Sequence, residues 1–129
     1  MNTLRFPFVV QQVGDELAIS MDCGGVIRCR TMPMEFAETL VVAMSQVQEA
    51  IETLLHDEEW KAKVPDYPKC REAAEGNVGP CDVRVVASKA DDVIEFTTAL
   101  YDEGDREAPV LVLVNEQLEE FVEVLGDVS

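Results

Sequence analysis

Residues 109–126, "PVLVLVNEQLEEFVEVLG", carry a clear structural signal, because a strand pattern passes directly into a helix pattern within them. The apolar run at 109–114 predicts a buried strand. Asn115 is a favourable helix N-cap, and the apolar residues after it recur at helical spacing. Gly126 is typical of the position just past a helix end. The stretch therefore predicts a strand followed at once by an amphipathic helix.

The predicted terminal helix has one strongly acidic face. Its acids fall at i, i+3, i+4, i+7 and i+11, so they share one side of the helix. They are Glu116, Glu119, Glu120, Glu123 and Asp127. Like charges at this spacing repel by roughly a few tenths of a kcal/mol per pair, so local stability does not explain the pattern. Two explanations stay open: a solvated face that keeps the protein soluble, or a recognition surface for a basic partner.

Two more strands precede this stretch, at 82–88 and 92–100. The loop 101–108, "YDEGDREA", joins the second of them to the strand at 109–114 and is also acidic. Its acids are Asp102, Glu103, Asp105 and Glu107. Hard cations prefer such oxygen ligands, but the loop lacks the register of an EF-hand, so we predict no metal site. We expect these four residues to extend the partner-binding surface instead.

The first half of the chain predicts a three-stranded meander. Residues 6–21 form a hairpin pattern, with two apolar-rich runs on either side of Gly14-Asp15. A Gly-Gly break then leads into residues 26–30, where Val and Arg alternate with Ile and Cys. Alternation of this kind indicates a further strand with two different faces.

A long helix should follow this meander. Residues 31–33 are predicted to start it, because Pro33 is well tolerated in the first turn of a helix. From Phe36 onward the apolar positions follow helical spacing, and the acids fall mostly elsewhere on the helix. We expect the helix to end near Lys61, before Pro65.

The predicted order is βββα, connector, βββα, in one α+β domain over 1–129. The first half covers 1–61, the connector covers 62–81 and the second half covers 82–129. The connector holds three prolines and two glycines, with room for a helical turn at Cys70–Glu75. One mixed or antiparallel sheet with two helices on one face is the expected architecture.

The two halves share a short sequence likeness. Residues 26–40, "VIRCRTMPMEFAETL", align without a gap to residues 111–125, and both contain E-F-x-E-x-L. Internal duplication is one interpretation. The alternative is that two strand-to-helix junctions converged on common helix formers.

The charge balance limits the class of partner. The chain has 26 acids and 10 bases, a net charge of −16, and residues 91–129 hold twelve of the acids but only one base. Nucleic acid and anionic membranes should repel such a protein. No apolar run approaches the roughly 18 residues of a membrane span, and the first residues lack a signal-peptide pattern. These features predict a cytoplasmic protein that binds neither nucleic acid nor membranes directly.

Residues that usually carry chemistry are few. The cysteines are spaced C-x5-C and C-x10-C, which does not fit a structural zinc site, and free thiols are favoured over a Cys70–Cys81 disulfide. The single histidine, His56, falls near a helix end beside acids, where a solvated or capping role is usual. Phosphate-binding glycine motifs are absent from the sequence. We therefore predict no catalytic residue, no metal and no cofactor.

Two functions remain as hypotheses. The first is an inhibitor, immunity-type protein or nucleic-acid mimic that blocks a basic site on a partner that handles nucleic acid. Small phage-encoded inhibitors often have this size and charge, which is a likeness of class only. The alternative is a chaperone or adaptor, forming a homodimer or not, that holds a partner through its sheet face or a sheet edge. An enzyme is not expected.

Overall fold

The strands and helices form largely where the hydrophobic periodicity predicts them, and the α+β class is confirmed. The computed structural model describes residues 5–105 and 107–128. In chain order its elements are β1 (Phe8–Val13), β2 (Glu16–Asp22), β3 (Ile27–Pro33), α1 (Glu35–Leu55), α2 (Glu58–Ala62), β4 (Arg71–Val78), β5 (Cys81–Ala90), β6 (Val93–Asp102), β7 (Leu111–Val114) and α3 (Asn115–Val128).

The strands form two antiparallel sheets rather than the single sheet that the sequence predicts. The first sheet has the order β1-β2-β3, which confirms the meander, and the second has the order β4-β5-β6-β7. Where β7 approaches β2, the Val112 N–H points at Met21 Sδ at a distance of 3.2 Å. β2 is the central strand of its sheet, with β1 and β3 on its two edges, so β7 meets it through a side chain and the two sheets stay separate.

The connector contains a strand, so the helical turn predicted at Cys70–Glu75 is wrong. β4 pairs with β5 along its length, with a bulge between Glu72 and Ala74. The bulge lets the strand follow the twist of its neighbour despite an extra residue. Short-range helix formers in "REAAE" are thus overridden by pairing with β5, whose alternate residues are buried.

The start of α1 also differs from the prediction. Pro33 is the last residue of β3, an edge strand of the first sheet, and does not lie in the first turn of the helix. Proline is acceptable there because the end of an edge strand needs few backbone donors. The helix begins at Glu35, and the Met34 N–H donates to the carbonyl of Asp15, which ties the helix start to the first hairpin.

The helical region breaks before Lys61, where a single helix was expected to end. α1 stops at Leu55, and Asp57 caps the separate short helix α2 by accepting a hydrogen bond from the Trp60 N–H at 3.0 Å. The Trp60 ring stacks on Phe96 of β6 with centroids 5.7 Å apart and planes 7° apart. Packing of this ring on the second sheet turns the chain away from the axis of α1.

The last helix runs from Asn115 to Val128, so Gly126 lies inside its final turns and is not the stop that we predicted. Its first turn is held by Gln117. The side chain of Gln117 accepts from the Val114 N–H at 3.2 Å and donates to the Phe6 carbonyl at 2.8 Å. This hydrogen bond back to Val114 satisfies a backbone donor at the helix start, in the manner of a capping box.

The structure does not support internal duplication. In the alignment of the two halves, residues 30–33 of β3 face residues 115–118, which are helical. The shared phenylalanines differ as well, since Phe121 is fully buried and Phe36 only partly. The two strand-to-helix junctions are therefore out of register with the sequence likeness.

One core joins both sheets to the two long helices. It contains alternate residues of β2, β5, β6 and β7 and the apolar faces of α1 and α3. Phe121 of α3 is fully buried and meets Phe8 edge-on, with ring centroids 5.7 Å apart. The apolar face predicted for the terminal helix is thus the face that packs.

The turn between β4 and β5 generates the first prediction. Gly79 has φ +60°, and a Cβ there would lie 2.8 Å from the Phe36 ring. We expect Gly79→Ala to lower the free energy of unfolding by about 1–2 kcal/mol for the backbone conformation and about 1–3 kcal/mol more for overpacking. Urea denaturation measures both.

Two other glycines provide matched controls. Gly104 also has a positive φ (+81°) but open space around it, so Gly104→Ala should show the backbone effect alone. Gly76 lies in β4 without a positive φ, and an added Cβ would meet no atom within 4 Å. Gly76→Ala should therefore be neutral or stabilising. Equal effects of the Gly79 and Gly104 substitutions would contradict the contact with Phe36.

Candidate functional site

The acidic face predicted on the terminal helix is present and exposed. Leu118, Phe121 and Leu125 are buried on one side of α3, so the opposite side faces solvent. All five predicted acids are exposed: Glu116, Glu119, Glu120, Glu123 and Asp127. Eleven residues of helix place the first and last of them about 16 Å apart along the axis.

A neighbouring helix adds acids that sequence reasoning missed. Glu49 and Glu52 of α1, both exposed, line a shallow groove of about 530 Å³ together with Glu119 of α3. The spacing within α1 shows that they share a side of that helix, but not which element packs beside it. We call the seven carboxylates of the two helices the acidic surface: Glu49, Glu52, Glu116, Glu119, Glu120, Glu123 and Asp127.

Little positive charge compensates the acidic surface. Among the described residues, Arg5 reaches it, with its Nη2 2.7 Å from Glu116 Oε2. The two side chains are 56% and 76% exposed, and ion pairs this exposed contribute about 0–1 kcal/mol and are screened by salt. Most of the negative charge on this surface therefore remains available to a partner.

The four loop acids lie elsewhere. Thr97 of β6 pairs with Val114, the residue just before α3. Asp102 lies five residues further along β6 than Thr97. At about 3.4 Å per residue, roughly 17 Å separates the loop from the start of the acidic surface. The loop packs instead on the β4–β5 turn, where the Gly104 N–H donates to Asp82 Oδ2 and the Glu103 N–H to the Pro80 carbonyl. The nine predicted residues thus form two groups.

The loop acids also differ from one another in their contacts. Asp102 Oδ1 lies 3.1 Å from Arg30 Nε, shielded from solvent, although the two atoms are not aligned for a hydrogen bond. Asp105 accepts from the backbone N–H of Glu107 at 3.2 Å. These contacts give Asp102 and Asp105 roles in holding the loop. Glu103 and Glu107 are the other two acids of the loop, and both are exposed.

The cysteines do not form a reactive centre. Cys23, Cys29, Cys70 and Cys81 are all free thiols. Arg71, the neighbour of Cys70, pairs with Ala87 of β5. Ala87 lies six residues along the strand from Cys81, so about 20 Å separates the thiols of Cys70 and Cys81. This is well beyond the roughly 7 Å between Cα atoms that a disulfide tolerates. His56 is the exposed C-cap residue of α1.

Two further features of the described ranges bear on function. Across residues 5–105 and 107–128, no three or more His, Cys, Asp or Glu side chains are grouped so that they could bind a metal ion. None of the helices in these ranges combines the length and hydropathy of a membrane span.

Comparison with known proteins adds no functional information. A scan against protein-family models and a search of curated proteins gave no match to this chain.

Cys81 generates a pH prediction. Burial raises the pKa of its thiol above the ordinary 9.0; nearby Arg30 opposes the rise, and Asp102 and Asp82 add to it. The pKa of the Cys81 thiol is higher in the folded protein than in the unfolded protein. The contribution of this thiol to the free energy of unfolding is therefore complete below the unfolded-state pKa, and it is lost as the pH rises through the folded-state pKa. We expect the free energy of unfolding to fall more steeply above about pH 9 in the native protein than in Cys81→Ala.

The exposed Cys29 supplies the control for this measurement. Cys29→Ala removes an exposed thiol, so it controls for the loss of a thiol that is not buried. Denaturant titrations at several alkaline pH values compare the three proteins. Parallel curves for all three would contradict a raised pKa at Cys81.

Proposed function

We propose that this chain is a small acidic protein-binding protein that blocks a basic site on a protein partner that handles nucleic acid. One observation carries the proposal: the seven carboxylates of the acidic surface lie on two packed helices. Among the described residues, Arg5 forms an ion pair with one of them, Glu116. Converging like charges lower stability slightly, so a binding role accounts for them better than folding does. We propose further that the protein has no catalytic activity of its own.

The spacing of charge on α3 supports a likeness to a phosphate backbone. Five carboxylates over about 16 Å of helix give about one charge per 4 Å along the axis. One strand of B-DNA carries about one phosphate per 3.4 Å. A groove lined by Arg and Lys that follows phosphates could therefore accept this helix. Opposite potentials would also speed the encounter of the two proteins.

The loop acids form a second, smaller contact in this proposal. Asp102, Glu103, Asp105 and Glu107 lie roughly 17 Å from the start of α3, a distance that a partner with an extended basic groove can span. We propose a cytoplasmic location, and the free thiols support it because cysteines stay reduced there.

A chaperone or adaptor, with or without homodimer formation, is the second candidate. The outer face of the first sheet exposes Val9 (54%), Val13 (55%) and Ile27 (65%). Apolar side chains at such exposures are common singly, but three on one small sheet suit contact with a partner or with a second copy. Binding through this face would be insensitive to salt, unlike binding through carboxylates.

The test compares two variants of equal charge. The first replaces Glu116, Glu119, Glu120 and Glu123 with Gln, and the control replaces the exposed Glu16, Glu58, Glu59 and Glu72 with Gln. Each tagged protein is incubated with lysate of its source at low salt and washed at about 1 M salt, where the screening length is about 3 Å. Retained proteins are identified by mass spectrometry.

We expect a basic, nucleic-acid-handling protein to be retained by the native protein and by the control variant, released by salt, and lost from the first variant. A short DNA duplex should also displace it, because the two compete for one site. Retention that survives high salt, or is equal in both variants, would contradict the proposal. A salt-resistant partner lost only when Val9 and Val13 become Ser would favour the adaptor.

A further inference from the structure

A second groove lies on the other flank of α1. It has a volume of about 720 Å³ and runs between α1 and β4. Its lining from α1 includes Val42, Val47 and Ala50, whereas the residues of α1 that face α3 include Glu49 and Glu52. One helix therefore separates two different surfaces, and the groove is independent of the acidic surface.

The interior of the groove is mostly apolar. Val83 and Val85 of β5 contribute to its lining, Ala74 and Val78 line it from β4, and Val42 of α1 is 53% exposed. Small residues at Ala43, Ala50 and Gly76 leave the space unfilled. A volume of this size is in the range of about 300–1,000 Å³ that binding sites occupy.

The groove reaches an open strand edge. β4 is the first strand in the order β4-β5-β6-β7, so in the described structure one side of it is paired with β5 and the other is not. The lining runs through residues 74–79 without a break, which includes residues from both faces of the strand. A terminal strand of this kind can pair with an added strand.

Charge at the rim selects the occupant. Glu35 and Glu38, both exposed in the first turn of α1, stand at the groove, and none of the described residues that line it is Lys or Arg. A second copy of this chain would bring further acids of β4 against them in a protein of net charge −16. Self-association at this edge is therefore disfavoured, and a basic segment is favoured.

We propose that this groove binds an extended segment of a partner protein in which apolar residues alternate with Lys or Arg. The segment pairs with β4 as an additional strand. Because successive side chains of a strand point to opposite faces, its apolar side chains enter the groove and its basic side chains point to the other face of the sheet. Glu35 and Glu38 at the rim attract these basic side chains at longer range. Backbone hydrogen bonds supply affinity and the alternating side chains supply selectivity, as in other cases of strand addition.

The probe is a synthetic peptide of alternating lysine and valine, matched to the eight residues of β4 and carrying a fluorophore. Fluorescence anisotropy measures its binding to the native protein. Three comparison peptides are used: one with glutamate for lysine, one with the same composition in blocks, and one N-methylated at alternate residues along one edge. The last keeps the charge and apolar content but cannot form the ladder hydrogen bonds on that edge.

Two variants locate the binding. Gly76→Val places a side chain in the groove at a position where an added Cβ meets nothing within 4 Å, and valine suits a strand, so the fold is retained. Glu35→Gln/Glu38→Gln removes the charge of the rim. The charge control is Glu58→Gln/Glu59→Gln on α2. Circular dichroism and urea denaturation confirm that each variant is folded.

We expect Gly76→Val and N-methylation each to weaken binding by roughly ten-fold or more, and the rim variant to weaken it by less and to reduce its salt dependence. Binding that is unchanged in Gly76→Val but lost when Glu116, Glu119, Glu120 and Glu123 become Gln would overturn the proposal, because the peptide would then occupy the acidic surface. Equal binding of the N-methylated or glutamate peptide, or a dimer in sedimentation that Gly76→Val abolishes, would overturn it as well.

Discussion

The packing of α3 against α1 holds the two sheets of the protein together. Within the described residues the two sheets share no backbone ladder, so the helices join them through one core. Leu118, Phe121 and Leu125 of α3 are fully buried in the core that also contains Leu40 and Met44 of α1. Side chains of this size contribute about 1.5–3 kcal/mol each when buried, which exceeds the repulsion among the acids on the outer face.

This packing explains both surfaces of α1. Burial of one side of the helix in the core leaves two flanks. One meets α3, where Glu49 and Glu52 line a groove with Glu119, and the other faces β4, where the apolar groove opens beside Glu35 and Glu38. Carboxylates in solvent keep their hydration, so the fold tolerates them at little expense of stability. The two surfaces differ in character: the acidic surface is suited to a basic groove, and the apolar groove to a single extended segment.

Periodicity predicted most elements, and it failed where long-range contacts decide. Spacing alone predicted the meander, the exposed acids of α3 and the strands at 82–88, 92–100 and 109–114. It did not predict β4, because pairing with β5 overrides the local helix preference of "REAAE". The break after Leu55 depends on the stacking of Trp60 on Phe96, which lies 36 residues later in the chain. The separation of the loop acids from α3, and the approach of Glu49 and Glu52 to Glu119, required knowledge of which elements pack together.

α1 and α3 bring carboxylates together without enough positive charge to offset them. A double-mutant cycle on Glu52→Gln and Glu119→Gln, followed by urea denaturation at low salt, measures the resulting repulsion. We predict an unfavourable coupling between the two native carboxylates of about a few tenths of a kcal/mol, which disappears at about 1 M salt, where the Debye length is about 3 Å. A coupling of zero at low salt, or a favourable one, would contradict the claim.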